Sequence, residues 1–136
     1  MRVAAHPRLY DPLPEDPVLN GAECAHCGRV YFPPIGLGCE ICGAAESRLL
    51  PKALRAEGVV FAVADVLIDP QGAGPFTIAE IVLDGGPLIR ATVHPESPAL
   101  SIGDRVSARW QVVRRDDSTA EVVEPAFAAA VPGVDA

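Results

Sequence analysis

The sequence has little of what a membrane protein, a nucleic-acid binder or a self-sufficient enzyme needs. No apolar run approaches the roughly 20 residues that span a bilayer, so no membrane segment is expected. The N-terminus, Met1 to Tyr10, lacks the charged start and long apolar stretch of a secretion signal, and a cytoplasmic setting is expected. There is no Gly-x-Ser-x-Gly elbow, no phosphate-binding loop and no dinucleotide fingerprint. Aromatic residues are scarce, with one Trp, two Tyr and four Phe. That is a thin supply for a platform on which bases would stack. Basic runs are also missing. Residues 1–56 carry six Arg/Lys and six Asp/Glu, whereas residues 57–136 carry five Arg and twelve Asp/Glu. The whole formal charge of −7 therefore sits in the second half. Phosphate binding calls for a basic face, so nucleic acid is not expected as the main ligand.

Cysteine is confined to four positions, Cys24, Cys27, Cys39 and Cys42. They form two Cys-x-x-Cys pairs separated by eleven residues, and each pair continues into glycine, Gly28 or Gly43. Two such turns can close a tetrahedral thiolate shell around one ion. Glycine after the second cysteine suits a tight knuckle. Disulfides belong to oxidising compartments, and a lone redox Cys-x-x-Cys would not be duplicated. The spacing therefore points to one structural Zn²⁺ per chain, with Cys24, Cys27, Cys39 and Cys42 as its ligands. Such a shell leaves no open position to activate water. It also leaves no cysteine free to act as a nucleophile. His26 sits inside the first knuckle and is read as exposed. His6 and His94 are isolated in sequence, without a neighbour to orient them for catalysis.

The chain divides on composition. Residues 1–20, with Pro7, Pro12, Pro14 and Pro17, read as an extended N-terminal arm or a very short helix. Residues 21–50 read as a zinc ribbon, with Val30-Tyr31-Phe32 as a strand that Pro33-Pro34 stops. Residues 51–127 read as strands: Gly58 to Ile68, Phe76 to Leu83, Leu88 to Val93, Arg105 to Val113 and Thr119 to Val123. Asp84-Gly85-Gly86 and Asp116-Asp117-Ser118 supply turns. Residues 128–136 are left as a C-terminal tail. The fold class is mostly β: an N-terminal rubredoxin-like zinc ribbon followed by a five-stranded OB-fold barrel. Asp65, Asp69 and Glu80 are read as solvent-facing acidic groups on that barrel.

Particular residues carry a resemblance. Leu19-Asn20-Gly21 precedes Cys24-Ala25-His26-Cys27-Gly28, then come Tyr31-Phe32-Pro33-Pro34 and Gly38-Cys39-Glu40-Ile41-Cys42-Gly43. Further on stand Val82-Leu83-Asp84-Gly85-Gly86-Pro87-Leu88-Ile89-Arg90 and Leu100-Ser101-Ile102-Gly103-Asp104-Arg105-Val106. From about Leu19 to Phe127 the chain resembles the zinc-ribbon OB-fold family found beside thiolase-superfamily enzymes. The resemblance implies a non-catalytic accessory subunit. It implies a thiolase-superfamily partner acting on acyl-CoA esters, in a heterotetramer or larger assembly, with a CoA ester at the interface. The proline-rich arm departs from the helix that many members place before the ribbon.

Two further expectations concern sites. Tyr31, Phe32, Pro33, Pro34, Ile35 and Leu37 put more apolar surface into one short stretch than a ribbon can bury, which marks them as partner-binding. Arg29, Arg90 and Arg105 are candidate contacts for the CoA phosphates, because guanidinium forks fit phosphate oxygens. The competing reading is a stand-alone OB-fold module that binds an acyl-CoA or single-stranded nucleic acid.

Overall fold

β-Branched residues at alternate positions organise the second half of the chain. A computed structural model describes residues 2–33, 37–67, 75–115 and 120–130. Nine strands occur among them: β1 (Arg2–Ala4), β2 (Val18–Cys24), β3 (Val30–Tyr31), β4 (Leu49–Arg55), β5 (Glu57–Val66), β6 (Phe76–Leu83), β7 (Leu88–Thr92), β8 (Arg105–Arg115) and β9 (Glu121–Ala129). One 3₁₀ turn, Glu46–Arg48, precedes β4. Among the described residues there is no α-helix, and no helix long and apolar enough to cross a membrane.

The period of two is clearest in β6, where Ala79, Ile81 and Leu83 are buried at every second position. Ile89 of β7, Val60 of β5, Val106 and Ala108 of β8, and Phe127 of β9 meet them in one core. The strands form a six-stranded sheet in the order β1-β9-β8-β5-β6-β7. A single parallel bridge, Val93 to Phe127, brings the chain after β7 back to β9. The His94 N–H donates to the Phe127 carbonyl at 2.7 Å beside it. Gly58 permits the tight approach of β5 to β6, since a Cβ there would collide with the backbone of Val82 and Leu83.

The first half builds a smaller sheet, β3-β2-β4. In it β2 and β4 pair along their full length, from Val18 with Arg55 to Cys24 with Leu49. The two sheets share a core, because Tyr10, Leu19 and Leu54 pack with the residues of β5 to β9.

The arm is extended where it pairs: β1 adds a parallel strand to β9, with Val3 opposite Val122. Tyr10 is buried, its hydroxyl donates to the Val123 carbonyl at 2.7 Å, and its ring lies 5.6 Å from that of Trp110. The indole N–H of Trp110 donates to the Pro14 carbonyl at 2.8 Å. Prolines exclude helix, but they leave carbonyls free to accept such bonds. The last strand does not stop at Val123. It continues through Pro125 to Ala129, and Ala126, Phe127 and Ala128 are fully interior. Ala126, Phe127 and Ala128 are buried in succession, so this stretch of the strand shows no alternation.

Candidate metal centre

Two turns repeat each other bond for bond. In each, the glycine N–H donates to the carbonyl of the first cysteine, Gly28 to Cys24 at 2.8 Å and Gly43 to Cys39 at 2.9 Å. In each, the first cysteine N–H donates to a carbonyl five residues on, Cys24 to Arg29 at 2.8 Å and Cys39 to Ala44 at 2.9 Å. Gly28 and Gly43 take φ of 83° and 77°, a conformation that penalises any side chain. These turns aim backbone N–H groups at sulfur. Cys24 faces those of Cys27 and His26, Cys39 those of Cys42 and Ile41, Cys27 that of Arg29, and Cys42 that of Ala44.

The strands carry the turns together. Cys24 closes β2, and β3 returns beside it, with Ala22 opposite Tyr31. The result is a four-sulfur cluster. Sγ of Cys24 lies 3.7 Å from that of Cys42, Sγ of Cys27 lies 3.5 Å from that of Cys39, and all four fall within 4.8 Å of one another. A tetrahedral ion with Zn–S bonds of about 2.3 Å would hold its sulfurs roughly 3.8 Å apart. The donor set therefore fits a metal ion, with no other ligand required to close the shell. Cys24 and Cys39 are buried and Cys27 and Cys42 exposed.

Electrostatics of the ion-free thiols is uneven. The Tyr31 hydroxyl, 3.1 Å from Cys39 Sγ, draws that thiol down to about 6, helped by the N–H groups of Cys42 and Ile41 against the cost of burial. The N–H of Cys27 leads a set that also lowers Cys24. Cys42 goes the other way. The Ala44 N–H favours its thiolate, but burial and the sulfurs of Cys39, Cys24 and Cys27 push it up to about 12. Negative charge thus settles first on the Cys39 side, and a cation is needed before all four thiols ionise together.

The remaining expected site residues scatter. Tyr31 is buried against the cysteines, and Phe32 packs half-buried on the main core. Pro33 lines a surface groove with Ala5, Pro7 and Leu9. Leu37 is 96% exposed. Pro34 and Ile35 lie outside the described residues. Arg29 pairs with Glu40 at 3.7 Å, Arg90 with Glu80 at 3.4 Å, and Arg105 with Asp84 through two bonds of 2.8 Å. Arg29 belongs to the first knuckle, Arg90 to β7 and Arg105 to β8. His26 and His6 are exposed. His94 accepts the Glu96 N–H on Nδ1 at 3.1 Å. Asp65 accepts the Thr77 hydroxyl at 2.8 Å, and Asp69 lies outside the described residues.

Sequence reasoning missed the role of Tyr31 as a hydrogen-bond partner of sulfur. Its apolar neighbours suggested an outward-facing stretch, and only the β2–β3 pairing turns its ring toward Cys39. It also gave no weight to Ile41 and Leu50, exposed apolar residues at the tip of the second knuckle and on β4.

No family model matches the chain. A solved structure titled Ltp2-ChsH2(DUF35) aldolase contains a chain similar to this one, with a TM-score of 0.63. The match covers 83% of this chain and 85% of that chain, at 23% sequence identity. Likeness at that level of identity shows a shared fold.

Proposed function

We propose that the chain is a non-catalytic, zinc-holding accessory subunit of a thiolase-type enzyme complex acting on acyl-CoA esters. The observation that carries this reading is the shared fold with a chain from a solved aldolase, over 83% of the length. That structure's title names DUF35, and membership of that family is part of the proposal. The site chemistry supports it. All four cysteines converge on one point, so none is left to attack a thioester. Zinc, when bound there, supplies a cross-link between the two knuckles and no reactive position.

The finer architecture is proposed on the same footing. Residues 1–20 are the arm, 21–50 the ribbon, 51–127 an OB-type barrel and 128–136 the tail. The barrel reading is supported by the pairing of β5 with both β6 and β8, of β6 with β7 and of β8 with β9, and by the Val93–Phe127 bridge.

The partner surface is proposed on the ribbon, around Pro33, Pro34, Ile35 and Leu37, with Ile41 and Leu50 added to it. Tyr31 and Phe32 contribute from beneath, by fixing the loop's base. Arg29, Arg90 and Arg105 are proposed CoA-phosphate contacts, for which a phosphate must compete with the carboxylate each already holds. The loose pairs of Arg29 and Arg90 yield more readily than the two-bond pair of Arg105. A cytoplasmic heterotetramer or larger assembly completes the reading.

The test is co-expression with a thiolase-superfamily protein from the same source, followed by purification on a tag carried by this chain. The expected result is a stable complex that binds acyl-CoA and carries the C–C bond chemistry, while the isolated chain carries none. Robust turnover by the isolated chain, or salt-sensitive oligonucleotide binding by it, would sink the reading. The second outcome would favour the stand-alone module.

A further inference from the structure

β4 is the outer strand of the smaller sheet, whose order is β3-β2-β4. It pairs with β2 from Leu49 to Arg55, and with no other strand among the described residues. The register decides which backbone groups that pairing uses. The Ala25 N–H donates to the Arg48 carbonyl at 2.8 Å, one step beyond the pair of Cys24 with Leu49. Bonded pairs alternate along an antiparallel ladder. Leu50, Lys52 and Leu54 therefore bond to β2, opposite Glu23, Gly21 and Leu19. Leu49, Pro51, Ala53 and Arg55 turn their backbone groups the other way. Pro51 falls among these, where its missing N–H costs the ladder nothing. Leu50, Pro51, Lys52, Ala53 and Arg55 are all exposed, so among the described residues this edge is open to solvent.

An open edge is a template for another strand. Ala53 can both donate and accept there, the Pro51 carbonyl can accept, and the Arg55 N–H can donate. Side chains narrow the occupant. Lys52 and Arg55 put two cations on this edge of a chain whose net charge is −7. Their side chains are 42% and 81% exposed, and only loose contacts of 3.9 Å to Glu23 and 3.6 Å to Glu57 hold them. A carboxylate on a neighbouring strand would pair with either. Leu50 shares a face with Lys52 and is 51% exposed, which favours an apolar neighbour. A second copy of this edge fits poorly. Antiparallel pairing about Ala53 would set the Arg55 carbonyl opposite Pro51, which has no N–H to give.

We propose that the edge of β4 takes up an extended segment of the thiolase-type partner as an added strand, with an apolar side chain beside Leu50 and a carboxylate beside Lys52. This rests on the accessory-subunit reading and supplies the mode of contact that it leaves open. The added strand continues the surface already proposed for the partner at Leu50.

The experiment follows amide hydrogen exchange in the zinc-loaded full chain, free and in its purified complex, beside a binding titration. In the free chain the Ala53 amide should exchange faster than the ladder amides of Lys52 and Leu54. In the complex it should slow about tenfold or more. Ala53→Pro removes that N–H alone, from an edge that already accommodates Pro51. It should weaken the complex about tenfold or more with zinc content unchanged, whereas Ala53→Ser should bind as wild type does. Lys52→Ala should flatten the salt dependence of binding. If Ala53→Pro does not fold, the exchange measurement decides. Three results would each overturn the proposal and leave the accessory reading intact: an Ala53 amide as fast in the complex as alone, wild-type affinity in Ala53→Pro, or a salt dependence unchanged in Lys52→Ala. A wild-type chain that forms no complex at all would instead sink that reading, and the added strand with it.

Discussion

The hydroxyl of Tyr31 sits 3.1 Å from Sγ of Cys39 while accepting the Glu40 N–H at 3.2 Å. A single phenol thereby ties a ligand sulfur to the backbone of the turn that carries it. Glu40 follows Cys39 directly, so the bond fixes where the second knuckle begins. The guanidinium of Arg29 lies 5.4 Å from the centre of the same ring. That joins the first knuckle to the second through one side chain.

Tyr31→Phe should keep the packing of the ring and remove only its oxygen. Groups that hydrogen-bond to metal ligands typically change metal affinity by about 10- to 100-fold when lost. The expected result is a protein that still folds with zinc but loses it about tenfold faster to a chromogenic chelator. Release at the wild-type rate would show that the hydroxyl does not act on the site.

Metal analysis should find one zinc per chain, and Cys39→Ser should abolish it and lower the soluble yield, because binding and folding of such a site are coupled. Zinc affinity should fall as pH falls, since protons compete for the thiolates. The thiol pushed up to about 12, Cys42, should make that dependence steep around neutrality. Competition titrations with a chelator at several pH values read this directly. An affinity flat with pH would mean that the four sulfurs are not the ligands.

How much of this was legible in advance depends on distance along the chain. The cysteine cluster could be read because each knuckle is a local turn, set by Cys24-Ala25-His26-Cys27-Gly28 and its repeat. The β6–β7 hairpin was legible for the same reason, with Asp84-Gly85-Gly86 between two apolar runs. The pairing of Val3 with Val122 was not, because nothing near Val3 signals a parallel partner more than a hundred residues away. The run of the last strand past Val123, through Ala126-Phe127-Ala128, was not legible, because consecutive buried residues have no alternation to show. Tyr31 has the composition of an interface residue, and only its tertiary surroundings make it a support for Cys39.

Asp84 and Arg105 form the tightest ion pair described in the chain, with Nη1 and Nη2 each 2.8 Å from a carboxylate oxygen. The Arg105 hydrogen bonds hold Asp84 below the usual carboxylate range, against partial burial and with help from the charges of Arg105 and Arg55. A depressed carboxylate stabilises the fold above its unfolded pKa of about 3.9. That contribution is lost as pH falls through the lower folded value. The side chains are 53% and 43% exposed, so the pair is worth no more than about 1 kcal/mol. Thermal unfolding followed from about pH 5 to about pH 3 should show wild type losing more stability than Asp84→Asn. Parallel curves would mean that the pair is screened to nothing.

The last prediction concerns the ribbon's outer surface. Leu37, before the second knuckle, is 96% exposed, Ile41 in that knuckle 61% and Leu50 on β4 51%. Tyr31 and Phe32 are committed inward, so these three carry the apolar surface that the ribbon shows to solvent among the described residues. Scattered exposed leucines are ordinary on any protein. Several on one small metal-held module argue for a partner, and burying each would contribute about 1.5–3 kcal/mol. Leu37→Asp and Ile41→Asp should each weaken co-purification with the thiolase-type partner while leaving zinc content and thermal stability as they were. The unchanged zinc content separates a lost contact from a damaged ribbon. If both variants still bring the partner down in full yield, the interface lies on β5 to β9, where Phe61 and Ile102 are the next exposed apolar residues to substitute.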